Sequence, residues 1–395
     1  MRKILILSPS DIFPPVDGNS ENIYHIVKHL ARQNILGVLL SHIFSQGGAI
    51  DLSHPNLTVR YCPPSAFDRW QYKSFLLNPH YYKAAHELMQ RVDADIIQCQ
   101  VLYTIFPGYS LKRRFGKPLV LVQENAEYIK QVKFEAPRYV TYVLKWVERM
   151  ACNVADMIVA VSEVDKKHMV DLYGIPEQKI HVINHCADEE VFRYDWGGRR
   201  TVREALSIGE EDMVLTYVGK MDAPHNTVAT QYIAERIYPA VSSKYPNSWF
   251  MIVGQNYEHL LQYEKDRLFF TGFVTSNKDE SPNLADHLSA SDIVIVPMDR
   301  GSGTRLKILE AAACSRPIVS TEIGAEGLEF VDGEEILLTK DVDSEFIKMV
   351  LRVIADPALR KSLGERARQK VLARYSWERE VGQFERVYEG LDSKG

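Results

Sequence analysis

Short apolar runs alternate with amphipathic stretches of helical period along almost the whole of this 395-residue chain, and that alternation admits few folds. An apolar run of about four to eight residues between turn signals reads as a strand buried on both faces. Where each run is followed by a helix-length stretch, the chain is winding a parallel sheet from βαβ units. In the first half the strand candidates are Lys3–Ser8, Gly37–His42, Ile96–Cys99, Pro118–Val122, Met157–Val161 and Ile180–Ile183. Helices lie between them, among them Glu21–Gln33, which keeps Ile23, Ile26, Val27 and Leu30 on one face. Asp156 to Tyr173 reads as a strand and then a helix, with Ser162 as N-cap, Asp165 three residues on, and Gly174 and Pro176 closing it.

The polar stretch Tyr194–Gly209, with Gly197-Gly198-Arg199-Arg200 inside it, interrupts the pattern and is taken as the domain boundary. The alternation then restarts. Strands are expected at Val214–Val218, Trp249–Val253, Leu268–Phe270, Ile293–Pro297, Pro317–Thr321 and Ile336–Leu338. Helices are expected around Thr227–Val241, at Leu284–Ala290 and Thr304–Cys314, and in three segments at the end. The fold class is therefore α/β: two Rossmann-like, doubly wound parallel-sheet domains, 1–195 and 210–374, facing a central cleft. Such sheets bind ligands at the carboxyl ends of their strands.

Composition narrows the function classes. With 46% hydrophobic and 25% charged residues the chain is an ordinary globular protein rather than a disordered or fibrous one. Residues 1–195 carry 22 Lys and Arg against 21 Asp and Glu, and residues 196–395 carry 25 against 31. Neither half has the basic excess of a nucleic-acid binder. Five scattered cysteines, Cys62, Cys99, Cys152, Cys186 and Cys314, never fall in CxxC spacing, which points to free thiols in a reducing cytosol and away from zinc. The apolar start Ile4–Leu7 stops at Ser8-Pro9-Ser10-Asp11, too short for an export signal. No run reaches the roughly 18 apolar residues of a membrane span. The expected location is cytoplasmic, at most peripheral at the inner face of a membrane.

The segment richest in chemistry runs from Val296 to Ala313. A strand ends at Pro297, Gly301 and Gly303 permit close backbone approach, and a helix is expected from Thr304. The unbonded N–H groups and dipole at such a helix start favour a phosphate. Arg305 and Lys307 add positive charge, and arginine holds phosphate oxygens bidentately. Glu310, about two turns on, suits ribose hydroxyls. The plainer reading is a strand–loop–helix turn with solvated charges; the cationic pair and the spaced glutamate favour the binding site.

These residues carry a resemblance. Gly303-Thr304-Arg305-Leu306-Lys307-Ile308-Leu309-Glu310-Ala311, then Arg316-Pro317-Ile318-Val319-Ser320-Thr321 and Gly324-Ala325-Glu326-Gly327-Leu328, resemble the donor-binding region of glycosyltransferase family 4. Pro14-Pro15-Val16-Asp17-Gly18-Asn19 is similar to the family's glycine loop after the first strand. Ala155–Glu163, the Val182–Asp188 turn, Tyr217–Asp222 and Phe270–Val274 resemble further family segments, the last being the base-binding loop. The helix from Tyr375-Ser376-Trp377, residues 375–395, resembles the one that crosses back to the first domain. The resemblance implies the GT-B fold, retention of anomeric configuration and a nucleoside diphosphate sugar as donor. It also implies no metal or other cofactor, in keeping with the absence of HExxH or HxH among the twelve histidines. Donor binding would fall to Gly18, Lys220, Phe273, Ser302, Gly303, Thr304, Arg305, Leu306, Lys307 and Glu310.

Three departures from the family pattern matter. Its paired glutamates would fall at 302 and 310, and position 302 is Ser302; a branch with this Gly-Thr-Arg-Leu-Lys loop also lacks the first glutamate. Its Arg and Lys after the first donor-domain strand become Lys220 and His225, a deficit that Arg305 and Lys307 are expected to make up. The loop that often holds a histidine near the reacting sugar reads Gln123-Glu124-Asn125-Ala126-Glu127, with Glu124 in the histidine's place. Two readings of that loop stand: Glu124 faces the anomeric centre, or Glu124 or Glu127 caps the following helix. Gly18 likewise reads either as a turn glycine or as backbone approaching substrate.

The aromatic stretch Phe67, Trp70, Tyr72, Phe75, Tyr81 and Tyr82 reads first as core with ordinary surface aromatics, and second as an acceptor lip or membrane-touching edge. Lys112-Arg113-Arg114 with Lys117 reads first as a solvated helix end, and second as a patch that meets anionic lipid.

The expectation is a retaining hexosyltransferase, with Glu124, Lys220 and Arg305 as its catalytic residues. Its acceptor would be an envelope glycan, a lipid carrier or a small natural product, with no nucleic acid and at most weak membrane contact. The alternatives are a non-catalytic sugar-nucleotide-binding subunit and a sugar-nucleotide epimerase. A nicotinamide enzyme is disfavoured because Leu7-Ser8-Pro9-Ser10 contains no GxGxxG.

Overall fold

The structure is a computed structural model that describes residues 1–15, 18–41, 52–66, 78–301 and 303–392. The chain forms two compact units, Met1–His185 with Trp377–Gly395, and Cys186–Ser376.

The first unit is a seven-stranded parallel sheet: β1 (Lys3–Leu7), β2 (Ile35–Leu40), β3 (Leu57–Tyr61), β4 (Ile96–Gln100), β5 (Leu119–Gln123), β6 (Met157–Ala160) and β7 (Ile180–Val182), in the order β3-β2-β1-β4-β5-β6-β7. The order reverses between β1 and β4, the place where doubly wound sheets open a crevice at their carboxyl edge. Its helices are α1 (Gly18–Leu30), α2 (Pro79–Val92), α3 (Ile105–Phe115), α4 (Glu127–Lys133), α5 (Arg138–Val154) and α6 (Glu163–Tyr173). Strands β1, β5 and β6 are almost wholly buried, which is why their sequences are nearly continuous apolar runs, while β4 is as deeply buried but carries Gln98 and Gln100. Ser162 caps α6 through the Asp165 N–H at 3.1 Å, and Gly174 ends it in the left-handed conformation, as the sequence predicts.

In the second unit come α7 (Trp196–Ala205), β8 (Met213–Val218), α8 (Pro224–Tyr232), α9 (Tyr238–Lys244), β9 (Ser248–Val253), β10 (Leu268–Gly272), α10 (Leu284–Ala290), β11 (Ile293–Val296), α11 (Leu306–Ala313), β12 (Ile318–Thr321), β13 (Leu337–Thr339), α12 (Ser344–Ala355) and α13 (Pro357–Arg374). One π-helical turn, Ile233–Ile237, joins α8 to α9. The six parallel strands run β10-β9-β8-β11-β12-β13, reversing between β8 and β11. The last helix, α14 (Trp377–Asp392), returns to the first unit. There Trp377 stacks on His25 of α1 at 5.0 Å, the Tyr388 hydroxyl donates to Gln98 at 2.6 Å, and Glu380 accepts the Asn184 N–H at 2.7 Å.

Two expectations are corrected. The polar stretch 194–209 carries α7 within the second unit and is not the boundary, which falls at His185/Cys186. Asp195 caps that helix through the Gly198 N–H at 2.6 Å. Arg203, only 1% exposed, donates to the carbonyls of Ala290, Gly209, Glu210 and Asp212 and to Asp292 at 2.7 Å. The helix expected from Thr304 begins at Leu306, because Gly301 and Gly303 hold φ of 130° and 81° and delay helical geometry by two residues. Strand β3, an edge strand of half-buried residues, is a further element that the apolar-run pattern passes over.

Candidate functional site

In the second unit the carboxyl edge of the sheet brings the Lys307 ammonium and the Lys220 backbone to one asparagine. Strand β8 delivers Tyr217, and the loop beyond it passes through Gly219 and Lys220 into α8, whose first turn carries Asn226. The Asn226 Oδ1 accepts from the Tyr217 hydroxyl at 2.6 Å and from the Lys307 ammonium at 3.0 Å, while its Nδ2 donates to the Lys220 carbonyl at 2.8 Å. Lys307 Nζ also lies 3.1 Å from the Tyr217 oxygen and 4.2 Å from the ring centroid. The switch between β8 and β11 thus holds α11 against the β8 loop through one ammonium. Burial, and then the neighbouring Arg305 charge, push the Lys307 pKa down to about 7. Its charge is therefore poised for an incoming anion, which would restore the full cation.

Arg305 occupies the N-cap position of α11 and is 9% exposed. Its Nη1 donates to the Gly303 carbonyl at 2.8 Å. A Cβ on Gly301 would come within 2.3 Å of the Arg305 guanidinium, so glycine there serves both its φ and the arginine lying along the loop. Similarly, a Cβ on Gly254 would come within 1.7 Å of the Gly219 carbonyl oxygen, and the loops after β8 and β9 meet backbone to backbone. The Arg305 side chain at the N-cap accepts no hydrogen bond from the first N–H groups of α11.

The remaining predicted donor residues divide. Thr304 precedes Arg305, and its hydroxyl is a buried atom with no hydrogen-bond partner among the described residues. Leu306 packs against the core, which leaves its backbone N–H as the group it can offer a ligand. Glu310 sits in the second turn of α11, and Lys220 is exposed with Asp222 at 3.9 Å. Phe273, 58% exposed, follows β10 at the far edge of the sheet. Ser302 lies outside the described residues.

In the first unit the structure joins two predicted positions, the Gly18 loop and Glu124. Gly18 opens α1, and the next turn directs Asn22 Nδ2 to Glu124 Oε1 at 3.2 Å. The Asn19 carboxamide, with its nitrogen facing the carboxylate, donates to the same oxygen at 2.7 Å. Glu124 does not cap the helix after β5, and neither does Glu127. That role belongs to Glu148 of α5, which is fully buried. It accepts from the Glu127 N–H at 2.8 Å, the Tyr128 N–H at 3.1 Å, Gln123 at 2.8 Å and the Tyr173 hydroxyl at 2.6 Å. Burial raises the Glu148 pKa. At the end of β4, Gln100 is buried with both amide atoms unpartnered among the described residues, and Val101 follows it at φ 59°, a strained conformation for a β-branched residue.

Sequence reasoning missed Asn19, Asn22, Tyr217 and Asn226. The signal was present but local: asparagines three apart just inside α1, and one inside α8 beside the His225 that departs from the family pattern. Of the aromatic stretch, residues 67–77 lie outside the described residues, while Tyr81 is buried and donates to the Ser8 carbonyl at 2.8 Å. Lys112 is half-buried rather than solvated, bonded to Asp156 at 2.7 Å. Among the described residues no group of three His, Cys, Asp or Glu side chains is placed to hold a metal, and no helix is long and apolar enough to cross a membrane.

Comparison with known proteins bears on the fold and the family. Residues 17–191 match the family described as Glycosyltransferase Family 4, and residues 212–356 match that described as Glycosyl transferases group 1. An uncharacterized glycosyltransferase of Methanocaldococcus jannaschii is 22% identical, the alignment covering 99% of this chain and all of that protein. Among solved structures, sucrose-phosphate synthase from Thermosynechococcus elongatus is similar over the whole of both chains, with a TM-score of 0.82 at 18% identity. Anabaena HepE in complex with UDP-glucose is similar over the whole of both chains as well, with a TM-score of 0.72 at 16% identity.

Proposed function

This chain belongs to the family 4 glycosyltransferases, of GT-B fold, and on that premise we propose that it moves a hexose-type sugar from a nucleoside diphosphate sugar to an acceptor hydroxyl, with retention of configuration. The second unit binds the donor and the first presents the acceptor, a glycan, a lipid-linked sugar or a small molecule. The observation that carries the reading is the Lys307–Asn226–Tyr217 cluster, which holds one ammonium against the Lys220 backbone at the start of the donor-side helices. Lys220, Arg305, Lys307 and the uncapped N-terminus of α11 neutralise the departing diphosphate. That lowers the cost of breaking the anomeric C–O bond, the main electrostatic task of the transfer. The acceptor hydroxyl attacks from the face the phosphate leaves, and a phosphate oxygen takes its proton. Glu124, oriented by Asn19 and Asn22, stabilises positive charge at the anomeric carbon or orients the acceptor. Glu310 holds the ribose, and the backbone near Phe273 the base. No metal takes part in this scheme.

The test is nucleotide release from UDP-, GDP-, ADP- and dTDP-sugars, with and without EDTA, beside Arg305→Ala. The UDP-glucose bound by the Anabaena neighbour puts uridine diphosphate sugars first. Release of one nucleotide that survives EDTA and falls on the order of a hundredfold in Arg305→Ala is the expected result. Failure to bind any sugar nucleotide would overturn the reading.

A further inference from the structure

The exposed face of α5 carries a feature the transfer reaction does not use. Tyr139, Tyr142, Val143 and Trp146 are 74%, 77%, 55% and 64% exposed. Their spacing of i, i+3, i+4 and i+7 puts them in one stripe on one side of the helix. The opposite side is anchored by Glu148, Ala151 and Cys152, all buried, so the stripe is the outward face of a helix fixed in its unit. Val132 of the adjoining α4 is exposed as well. Scattered surface apolar residues are ordinary; four neighbours, three of them aromatic, on one helix are not.

The charges around the stripe say what covers it. Arg138 stands at its start and Arg149 at its end, both exposed, and Lys145 lies alongside with its ammonium 5.1 Å from the Tyr128 ring. Glu148 is turned into the core and Glu127 is paired with Lys130 at 3.2 Å, which leaves Glu135 as the exposed acid of the segment 127–154. At the C-terminal end of α5, Lys112 donates to the Val154 carbonyl at 2.9 Å, bringing the exposed Arg113 and Arg114 of α3 to the same end of the helix. An aromatic stripe bounded by arginine and lysine fits the interface of a bilayer, where Tyr and Trp rings sit at headgroup level and cations meet anionic lipid. A second copy of this chain fits less well, since a two-fold contact through the same face would bring like-charged arginines and lysines together.

We propose that α5 is a membrane-docking helix that lays Tyr139, Tyr142 and Trp146 into the headgroup region of an anionic bilayer. The proposal does not rest on the donor reading, because it needs only the helix and its flanking charges. The experiment is flotation of the full chain with phosphatidylcholine vesicles and with phosphatidylcholine–phosphatidylglycerol vesicles, at low and high salt. The wild type is expected to float with the mixed vesicles, several-fold less with neutral ones, and less at high salt. Tyr142→Ser with Trp146→Ser is expected to lower partitioning at least tenfold, and Arg138→Glu with Arg149→Glu to abolish the preference for anionic lipid. Both pairs are exposed, so circular dichroism and binding of nucleotide should match the wild type. Absence of flotation by the wild type, or equal flotation by the aromatic variant, overturns the proposal. So does a wild-type dimer that the aromatic variant converts to a monomer, since the stripe would then be an interface between copies.

Discussion

The two units share a winding and anchor themselves with charges of opposite sign. In the first, the fully buried charges are carboxylates: Glu148 gathers α4, β5 and α6, and Glu380 ties α14 to Asn184. In the second the most deeply buried charge is a guanidinium: Arg203 gathers the loop after α7 and the end of α10, with Arg199 beside it on Asp292 at 3.2 Å. The candidate sites follow the same division. Near the switch of the first sheet, the helix after the leading strand offers Asn22 to the carboxylate of Glu124; near the switch of the second, it offers Asn226 to the ammonium of Lys307. Topology supplies the place and one asparagine amide supplies either a donor or an acceptor. The charge it holds decides whether the edge carries a carboxylate or an ammonium. Net charge misleads here, since residues 196–395 are the more acidic part of the sequence.

The comparison can be broken at its anchors. Glu148→Leu would leave two helix N–H groups, a hydroxyl and an amide unpaired, and should cost about 4 kcal/mol in the first unit. Arg203→Met should cost about 3 kcal/mol in the second, where Asp292 keeps Arg199 as a partner. Urea unfolding followed by limited proteolysis distinguishes them: each substitution should expose cleavage sites in its own unit first.

At the sites the expected effects are smaller. With a Lys307 pKa of about 7 in the free protein, its charge is full below that pH and lost as pH rises through it. The donor kcat/KM of the wild type should therefore fall on the alkaline side of neutrality. Lys307→Met should lower kcat/KM about thirtyfold at pH 6 and flatten the profile, worth about 2 kcal/mol. A variant profile that still falls through neutrality would assign the titration elsewhere. Glu124→Gln keeps its shape but cannot hold negative charge, and should slow transfer about tenfold while donor binding by calorimetry stays unchanged. Loss of donor binding in that variant would move Glu124 to the donor side.

What the sequence made legible were the parts governed by local rules. The buried strands announce themselves as apolar runs, and Ser162 and Gly174 mark a helix at both ends because capping is decided within four residues. The Gly301–Lys307 segment was legible as chemistry for the same reason. Other parts depend on partners distant in sequence. The stretch that carries α7 reads as a domain boundary because the inward face of the helix is built from Arg199 and Arg203, residue types that ordinarily mark an exterior, here satisfied by backbone carbonyls about ninety residues away or in the following loop. The cap on α4 comes from Glu148, twenty-one residues beyond the first N–H it accepts, and nothing near Glu127 signals it. The aromatic stretch that drew attention lies at 67–82, whereas the exposed one is on α5, where periodicity alone cannot separate an inward stripe from an outward one.

The route of the chain gives the two units different histories. Ala187 and Ser376 form a parallel bridge, so the second unit begins and ends at one point, as an inserted domain does. It has all its strands and helices before α14 is made, whereas the first unit, started earlier, must wait for Trp377, Glu380 and Tyr388 to close the sheet face over Gln98 and His25. On the ribosome the unit begun second is thus the first to be whole, and the unit begun first spends the length of its neighbour's synthesis with Gln98 and His25 uncovered.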